Sequence, residues 1–282
     1  MTLKFHNPYT IKIETVFGCN RRCDFCAIHT QNIKEIKFVT LDMIKLIAHQ
    51  IKEFFDGSRI ELTLRGEPTL HPKIFEIIKI LKGITSSQVM LTSNGIVLTE
   101  DMVKKFYEAG LNILLVDCYE KETLELMKKV KTDFEKYSIR EKTPYKRYKN
   151  KQYLIYNDDV YGEKVIYRNI HNTAGNVDFN KVSKYGLYPL KEPLEKCCVS
   201  PFRELVIRHD GIVCMCCNDW KNQCIVGNIL KDNIYDIWHT KKLNTIRKLL
   251  LNKQRGKVSP CNVCDYNGGY RIGLEKKYFV EK

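Results

Sequence analysis

The sequence predicts an α/β protein built on parallel strands, followed by a smaller cysteine-rich region. Three observations carry this reading. Over the first 137 residues, short β-branched runs alternate with segments of helical apolar period. A strand–helix–strand rhythm needs crossover connections, hence parallel strands in a barrel or a doubly wound sheet. Near residue 190 the rhythm gives way to cysteine-rich segments, which divides the chain into residues 8–190 and 191–282.

Taken in order, residues 10–16 (TIKIETV) form the first strand, and a loop with three cysteines follows. Thr40 N-caps a helix over residues 41–55. Residues 59–64 (RIELTL) are the second strand, ending in Arg65-Gly66-Glu67-Pro68. A helix over 72–81, a strand over 88–91 and a helix over 99–109, stopped by Gly110, come next. Residues 111–116 make a buried strand and 121–137 a helix. Beyond residue 138 the pattern weakens. Residues 140–151 hold six basic side chains against one acidic, with Tyr145 and Tyr148 between them, and strand-like runs follow at 153–156 and 165–169. In the tail, Asp210-Gly211 is a hairpin turn between runs at 204–207 and 212–215. One amphipathic helix covers residues 234–251. Active sites of parallel α/β folds gather at the carboxyl ends of the strands.

Composition narrows the function classes. With 44% hydrophobic and 28% charged residues the chain can bury a core and stay in water. No apolar run approaches the ~18 residues of a membrane helix. Residues 1–15 lack the ~7–15-residue apolar stretch of a secretory signal, so the expected location is the cytoplasm. In that reducing setting twelve cysteines read as metal ligands rather than disulfides. Three lie within 19–26, six within 197–224, two at Cys261 and Cys264, and Cys118 stands alone. The formal charge of +14 favours an anionic partner: a phosphorylated metabolite, a nucleotide, nucleic acid or an acidic electron donor.

Cys19-x3-Cys23-x2-Cys26 supplies three thiolates from one loop directly after a strand. Three ligands leave one position open. In an iron–sulfur cubane that means one iron free to bind a substrate or cofactor; in a zinc site His29 would be the fourth ligand. Cys198-x12-Gly211-x4-Cys216, with Cys261-x2-Cys264, offers four thiolates for a closed site, which suits structural zinc and a cluster equally well.

The first loop, with Phe25 just before its third cysteine, resembles that of the radical S-adenosylmethionine (SAM) superfamily. Arg65-Gly66-Glu67-Pro68 resembles the family's Gly-Gly-Glu-Pro segment, which binds the SAM amino group, with Arg65 in place of the first glycine. Thr92-Ser93-Asn94-Gly95 resembles the Thr-Asn-Gly segment near the SAM ribose. The tail resembles the SPASM/twitch extension of the same family through Cys198-Val-Ser-Pro201-Phe202, Asp210-Gly211, Cys216-Cys217-Asn218-Asp219-Trp220, Gly227-Asn228 and Asp236-Ile237-Trp238. Tyr270 stands where the two-cluster form continues with cysteine, which points to the one-cluster twitch form.

The resemblance implies a partial (β/α)6 TIM barrel with a small C-terminal β-hairpin/helix twitch domain. It implies a [4Fe–4S] cluster on Cys19, Cys23 and Cys26, with SAM bordered by Phe25, Gly66, Glu67, Pro68, Ser93 and Asn94. A second [4Fe–4S] cluster is implied on Cys198, Cys216, Cys261 and Cys264, with Cys197 or Cys217 taking over if the register shifts by one. The implied chemistry is reductive cleavage of SAM to a 5'-deoxyadenosyl radical by an oxidoreductase, and dehydrogenation of a small polar or anionic substrate, with the second cluster accepting the electron. Flavodoxin or ferredoxin is the implied electron donor. Twitch-bearing dehydrogenases often carry Asn-Arg-x-Gly near the last barrel strand. This chain has Asn172-Thr173-Ala174-Gly175, which leaves Arg168 and His171 to reach the pocket, His171 as a general base. Epimerisation or rearrangement of a sugar, peptide or nucleotide is the alternative reaction, and Cys118 would then be the hydrogen donor. Nucleic acid held by residues 140–151, and a non-enzymatic basic zinc module, are the remaining alternatives.

Overall fold

The computed structural model describes residues 4–31, 33–131, 135–138, 151–158, 171–267 and 279–280. By contact the chain divides into two compact units: residues 13–21 with 35–169, and residues 1–12 with 22–34 and 170–282.

The first unit holds the parallel strands. Arg59–Leu62, Val89–Ser93, Ile113–Asp117, Tyr153–Asn157 and Glu135–Ser138 lie side by side in that order, each parallel to its neighbour. Register places Leu62 opposite Leu91, Leu91 opposite Leu114 and Leu114 opposite Leu154. All four side chains are fully buried. A slip by one residue would turn this row to the other face, so burial fixes the register.

The helices cover this row with their apolar stripes. Leu41–Phe54 starts where the Thr40 hydroxyl accepts the Met43 N–H at 3.2 Å, and it buries Ile44, Ile47, Ala48 and Ile51. Ile74–Ile84 buries Ile74, Ile77, Ile78 and Leu81. Glu100–Glu108 is capped in the same way by Thr99 and ends at Gly110, whose φ of +96° suits glycine. Each fully buried leucine or isoleucine contributes about 1.5–3 kcal/mol of transfer free energy, so these stripes, more than helix propensity, hold the helices in place.

Three expected elements differ. The strand read over residues 10–16 is interrupted: Thr10–Ile13 is one strand, and Val16–Phe17 pairs instead with Lys37–Phe38. The helix read over 121–137 stops at Lys129, and Glu135–Ser138 becomes a strand. There the Tyr137 ring lies 6.1 Å from that of Tyr153, its partner strand's first residue, and its hydroxyl donates to Glu135 at 2.6 Å. Cross-strand aromatic pairing outweighs the local helical pattern. The expected strand at 165–169 lies outside the described residues, as does 140–150 of the basic run.

In the second unit the expected hairpin is present. Glu204–Ile207 pairs antiparallel with Ile212–Cys214, Val206 facing Cys214 and Ile207 facing Val213. Gly211, at φ +85°, closes the turn by donating to the Arg208 carbonyl at 3.0 Å. Ile225–Asn228 adds a third antiparallel strand, and Thr10–Ile13 lies on the hairpin's other side. The third difference is here: residues 234–251 form two helices, Ile234–Trp238 and Lys241–Leu251. Thr240 breaks the run because its hydroxyl caps the second helix by accepting the Leu243 N–H at 3.3 Å. The buried Arg247 then donates to the freed Trp238 carbonyl at 2.8 Å. Among the described residues, no helix is long and apolar enough to cross a membrane.

Candidate functional site

The cysteine loop leaves the first strand pair under tight constraint. Gly18 donates its N–H to the Arg65 carbonyl at 3.2 Å and accepts the Glu67 N–H at 3.0 Å, a parallel bridge between Gly18 and Gly66. A Cβ on Gly66 would stand 2.2 Å from the Val16 carbonyl oxygen and 2.6 Å from that of Gly18. The glycine singled out in the sequence is therefore required by the approach of two backbones. Arg65 fills the site beside it. Its Nε and Nη2 donate to the two Glu14 carboxylate oxygens at 2.7 and 2.9 Å, and its guanidinium lies 4.5 Å from the Phe17 ring centre. Both partners of this fork are buried.

Glu67, Ser93 and Asn94 are brought together as expected. The Glu67 carboxylate accepts the Thr69 N–H and hydroxyl at 3.0 and 2.6 Å on one oxygen and the Asn94 N–H at 2.8 Å on the other. Burial pushes its pKa up, against these hydrogen bonds and one from Ser93. Pro68 opens a short 3-10 turn, Pro68–Leu70. Asn94 then reaches the cysteine loop: its Nδ2 donates to Asn20 Oδ1 at 2.9 Å and to Cys19 Sγ at 3.5 Å. Sequence reasoning missed Asp117 and Asn157, opposite each other at the ends of neighbouring strands, with Asn157 Nδ2 3.5 Å from Asp117 Oδ1. Burial, and the nearby Glu67 charge, push the Asp117 pKa up to about 6 in spite of that contact. Their position at strand ends was the available signal.

Cys118 faces elsewhere. Side chains alternate along the strand, and Cys118 is buried on the side of Leu114 and Val116 rather than that of Asp117. Val116 and Thr123, the latter on the helix that follows, both crowd Gly95, which marks this as the helix side. Burial pushes the Cys118 thiol up to about 12, and its Sγ lies 3.8 Å from the Val116 carbonyl. Its surroundings are those of a core cysteine.

None of the twelve cysteines forms a disulfide. Cys19, Cys23 and Cys26 are half-buried; the Arg21 N–H donates to Cys19 Sγ at 3.3 Å, and the Cys26 N–H closes a turn onto the Cys23 carbonyl at 2.9 Å. Phe25, between them, is half-buried. In the second unit Cys198, Cys216, Cys261 and Cys264 share one buried environment. Burial first, then the Cys217, Cys261, Cys198 and Cys264 sulfurs, hold the Cys216 thiol well above its ordinary range. Cys261 and Cys264 are likewise raised by burial and by Cys198. Cys217 has different company: burial, then Glu204, push it up to about 12, with Lys12 and Arg208 opposing. Cys224 bears on Cys261 as well, but its own charged neighbours are Lys242 and Asp219.

The chemistry of these donors fits iron–sulfur clusters: soft thiols, three in one loop and four enclosed, with backbone N–H groups aimed at sulfur. Among the described residues, no three His, Cys, Asp or Glu side chains converge as ligands of one ion would. Cluster ligands need no such convergence, because each binds its own iron.

Comparison with known proteins agrees. The profile of the radical SAM superfamily matches residues 13–138, and that of an iron-sulfur cluster-binding domain, SPASM, matches residues 197–265. The chain belongs to the radical SAM superfamily. It is 24% identical over 268 residues to the S-adenosyl-L-methionine-dependent 2-deoxy-scyllo-inosamine dehydrogenase of Niallia circulans, covering 90% of this chain and 92% of that one. A probable GTP 3',8-cyclase of Sulfolobus acidocaldarius is 34% identical over 102 residues, 36% of this chain and 31% of its own. The fold is that of BtrN, crystallised with AdoMet and 2-DOIA: TM-score 0.74 at 20% identity, covering 98% of this chain and all of that one. Native anSMEcpe with bound AdoMet shares it more distantly, at TM-score 0.53 and 16% identity over 86% of this chain and 83% of that one. This is a partial-barrel radical SAM enzyme with SAM and iron–sulfur clusters as its cofactors.

The remaining expectations concern the Asn172–Gly175 segment. Arg168 lies outside the described residues, and so does the side chain of His29. His171 is held by its Nδ1, which accepts the Thr173 N–H at 3.1 Å, and its ring meets Tyr266 edge-on at 5.1 Å. Burial lowers its pKa, so the ring is neutral at pH 7, and with Nδ1 accepting, the proton sits on Nε2. In this geometry His171 presents its Nε2–H as a hydrogen-bond donor. Asn172 ties its segment to the second Cys-x2-Cys: its Nδ2 donates to the Val263 carbonyl at 2.6 Å and its Oδ1 accepts the Asp265 N–H at 3.1 Å.

Proposed function

We propose that this radical SAM enzyme oxidises a secondary alcohol of a small amine-bearing polyol to a ketone. The observation that carries this reading is the likeness over 90% of the chain to a SAM-dependent 2-deoxy-scyllo-inosamine dehydrogenase. The enclosed quartet Cys198, Cys216, Cys261 and Cys264 supports it, since four thiols around a cubane leave no iron open to substrate and suit electron transfer. Cys19, Cys23 and Cys26 would hold the first cluster and leave one iron for SAM. When bound, these groups supply the one-electron cleavage of SAM and an acceptor for the electron the substrate gives up.

The balance is closed. The alcohol carbon loses one hydrogen atom, which ends in 5'-deoxyadenosine, then one proton and one electron; methionine is the other product. The chain's own residues bind and orient. Gly66 and Glu67 shape the loop for the SAM amino group, and Asn94 holds that loop to Cys19 through its contacts with both. Asp117 and Asn157, at adjacent strand ends, offer an acceptor and an amide to a substrate hydroxyl or ammonium. Among the described residues at these strand ends, Arg65 is neutralised by Glu14, so Glu67 and Asp117 favour a neutral or ammonium-bearing substrate over an anion. An external one-electron donor is required; flavodoxin or ferredoxin suits a chain of formal charge +14. The reducing cytoplasm suits its free thiols.

The test is anaerobic turnover with SAM, a chemical reductant and a panel of aminocyclitols, reading 5'-deoxyadenosine and ketone. Equal amounts of both from one member of the panel support the proposal. An epimer, or 5'-deoxyadenosine without ketone across the panel, would overturn it.

A further inference from the structure

Arg255 is buried in the second unit, 1% exposed, and no described carboxylate pairs with it. Its guanidinium donates to four main-chain carbonyls: Lys196 at 2.9 Å, Cys197 at 3.1 Å, Tyr266 at 2.6 Å and, more weakly, Cys264 at 3.5 Å. Two of these directly precede Cys198 in sequence and two lie on or beyond Cys264, so one side chain joins the two segments that bring three of the four buried thiols together. The other buried guanidiniums of this unit are engaged differently. Arg208 donates to the Asp219 carbonyl at 2.7 Å, and Arg247 to those of Pro201 and Trp238 at 2.9 and 2.8 Å.

A cluster on four thiolates carries net negative charge, and one more negative charge when reduced. Burying such charge away from water is costly unless a counter-charge stands nearby. We propose that Arg255 is the counter-cation of the auxiliary cluster, a positioning residue that stabilises its reduced state as well as joining its ligand segments. The inference rests on the reading that Cys198, Cys216, Cys261 and Cys264 hold that cluster.

The test isolates the second cluster in a Cys19/Cys23/Cys26→Ala parent and adds Arg255→Gln or Arg255→Lys. Iron per chain is measured after reconstitution, and the reduction potential by titration followed by electron paramagnetic resonance. The parent holds about four irons if the cluster reading is right. Arg255→Gln is expected to shift the potential to more negative values, or to lose the cluster, while Arg255→Lys keeps iron and a potential close to the parent's. A merely structural clamp would not separate the two variants. An unchanged potential in Arg255→Gln, equal shifts in both variants, or loss of iron from both would overturn the assignment. A parent without iron would overturn the cluster reading itself, and this inference with it.

Discussion

A Cβ at position 66 would clash with the carbonyls of Val16 and Gly18, and the sulfur at position 118 is fully buried. Cys118 packs on the helix side of its strand, so Cys118→Ala should cost about 1 kcal/mol of stability through the lost packing and leave 5'-deoxyadenosine and ketone formation intact. Loss of turnover in a folded Cys118→Ala protein would return the residue to the reaction. Asp117 behaves oppositely, because its carboxylate is buried beside Glu67 with its pKa raised from 3.8 to about 6. Between those values the folded chain binds a proton that the unfolded chain has released, so stability falls as pH rises through the window. Above pH 6 the full penalty is present, about 3 kcal/mol at most. Asp117→Asn should therefore unfold at higher urea than wild type at pH 8, the gain shrinking as pH falls from 6 toward 4. A gain independent of pH would contradict the assignment.

At the scale of elements, the fork between Arg65 and Glu14 ties the end of one strand to the end of another at the loop that carries Gly66. Removing one partner strands a buried charge, a loss of about 3–5 kcal/mol, whereas replacing both with apolar groups is close to neutral. Urea unfolding should therefore show Arg65→Met strongly destabilised and Arg65→Met/Glu14→Leu largely restored; a double variant as unstable as the single would refute the strut. The elements that the sequence made legible have local causes. Thr40 and Thr99 announce their helices through caps, and Ile44, Ile47 and Ile51 repeat at helical spacing. Asp210-Gly211 announces a hairpin through the conformation glycine alone takes easily. The misread elements have distant causes. Glu135–Ser138 is a strand because Tyr153–Asn157 pairs with it, and the 234–251 run divides where Arg247 supplies a partner to a carbonyl that a longer helix would have used. Pairing across the chain leaves no periodic mark in either partner.

For the whole molecule, the spacing of seven cysteines was enough to expect two sites, because thiolates in a reducing setting have few other reasons to cluster. Which of the adjacent Cys216 and Cys217 belongs to the closed site was not legible from spacing; Cys261, Cys198 and Cys264 bear on Cys216 and Glu204 on Cys217, which favours Cys216 as the ligand. Net charge does not by itself set the charge of the substrate. A formal charge of +14 describes the surface as a whole, while the described strand ends carry Glu67 and Asp117. The most direct test of the account counts metal. Anaerobically reconstituted wild type should hold about eight irons and eight acid-labile sulfides per chain, the Cys19/Cys23/Cys26→Ala variant about four of each, and neither should hold stoichiometric zinc. Zinc in place of iron at the first site, or an iron count unaffected by the triple substitution, would contradict it.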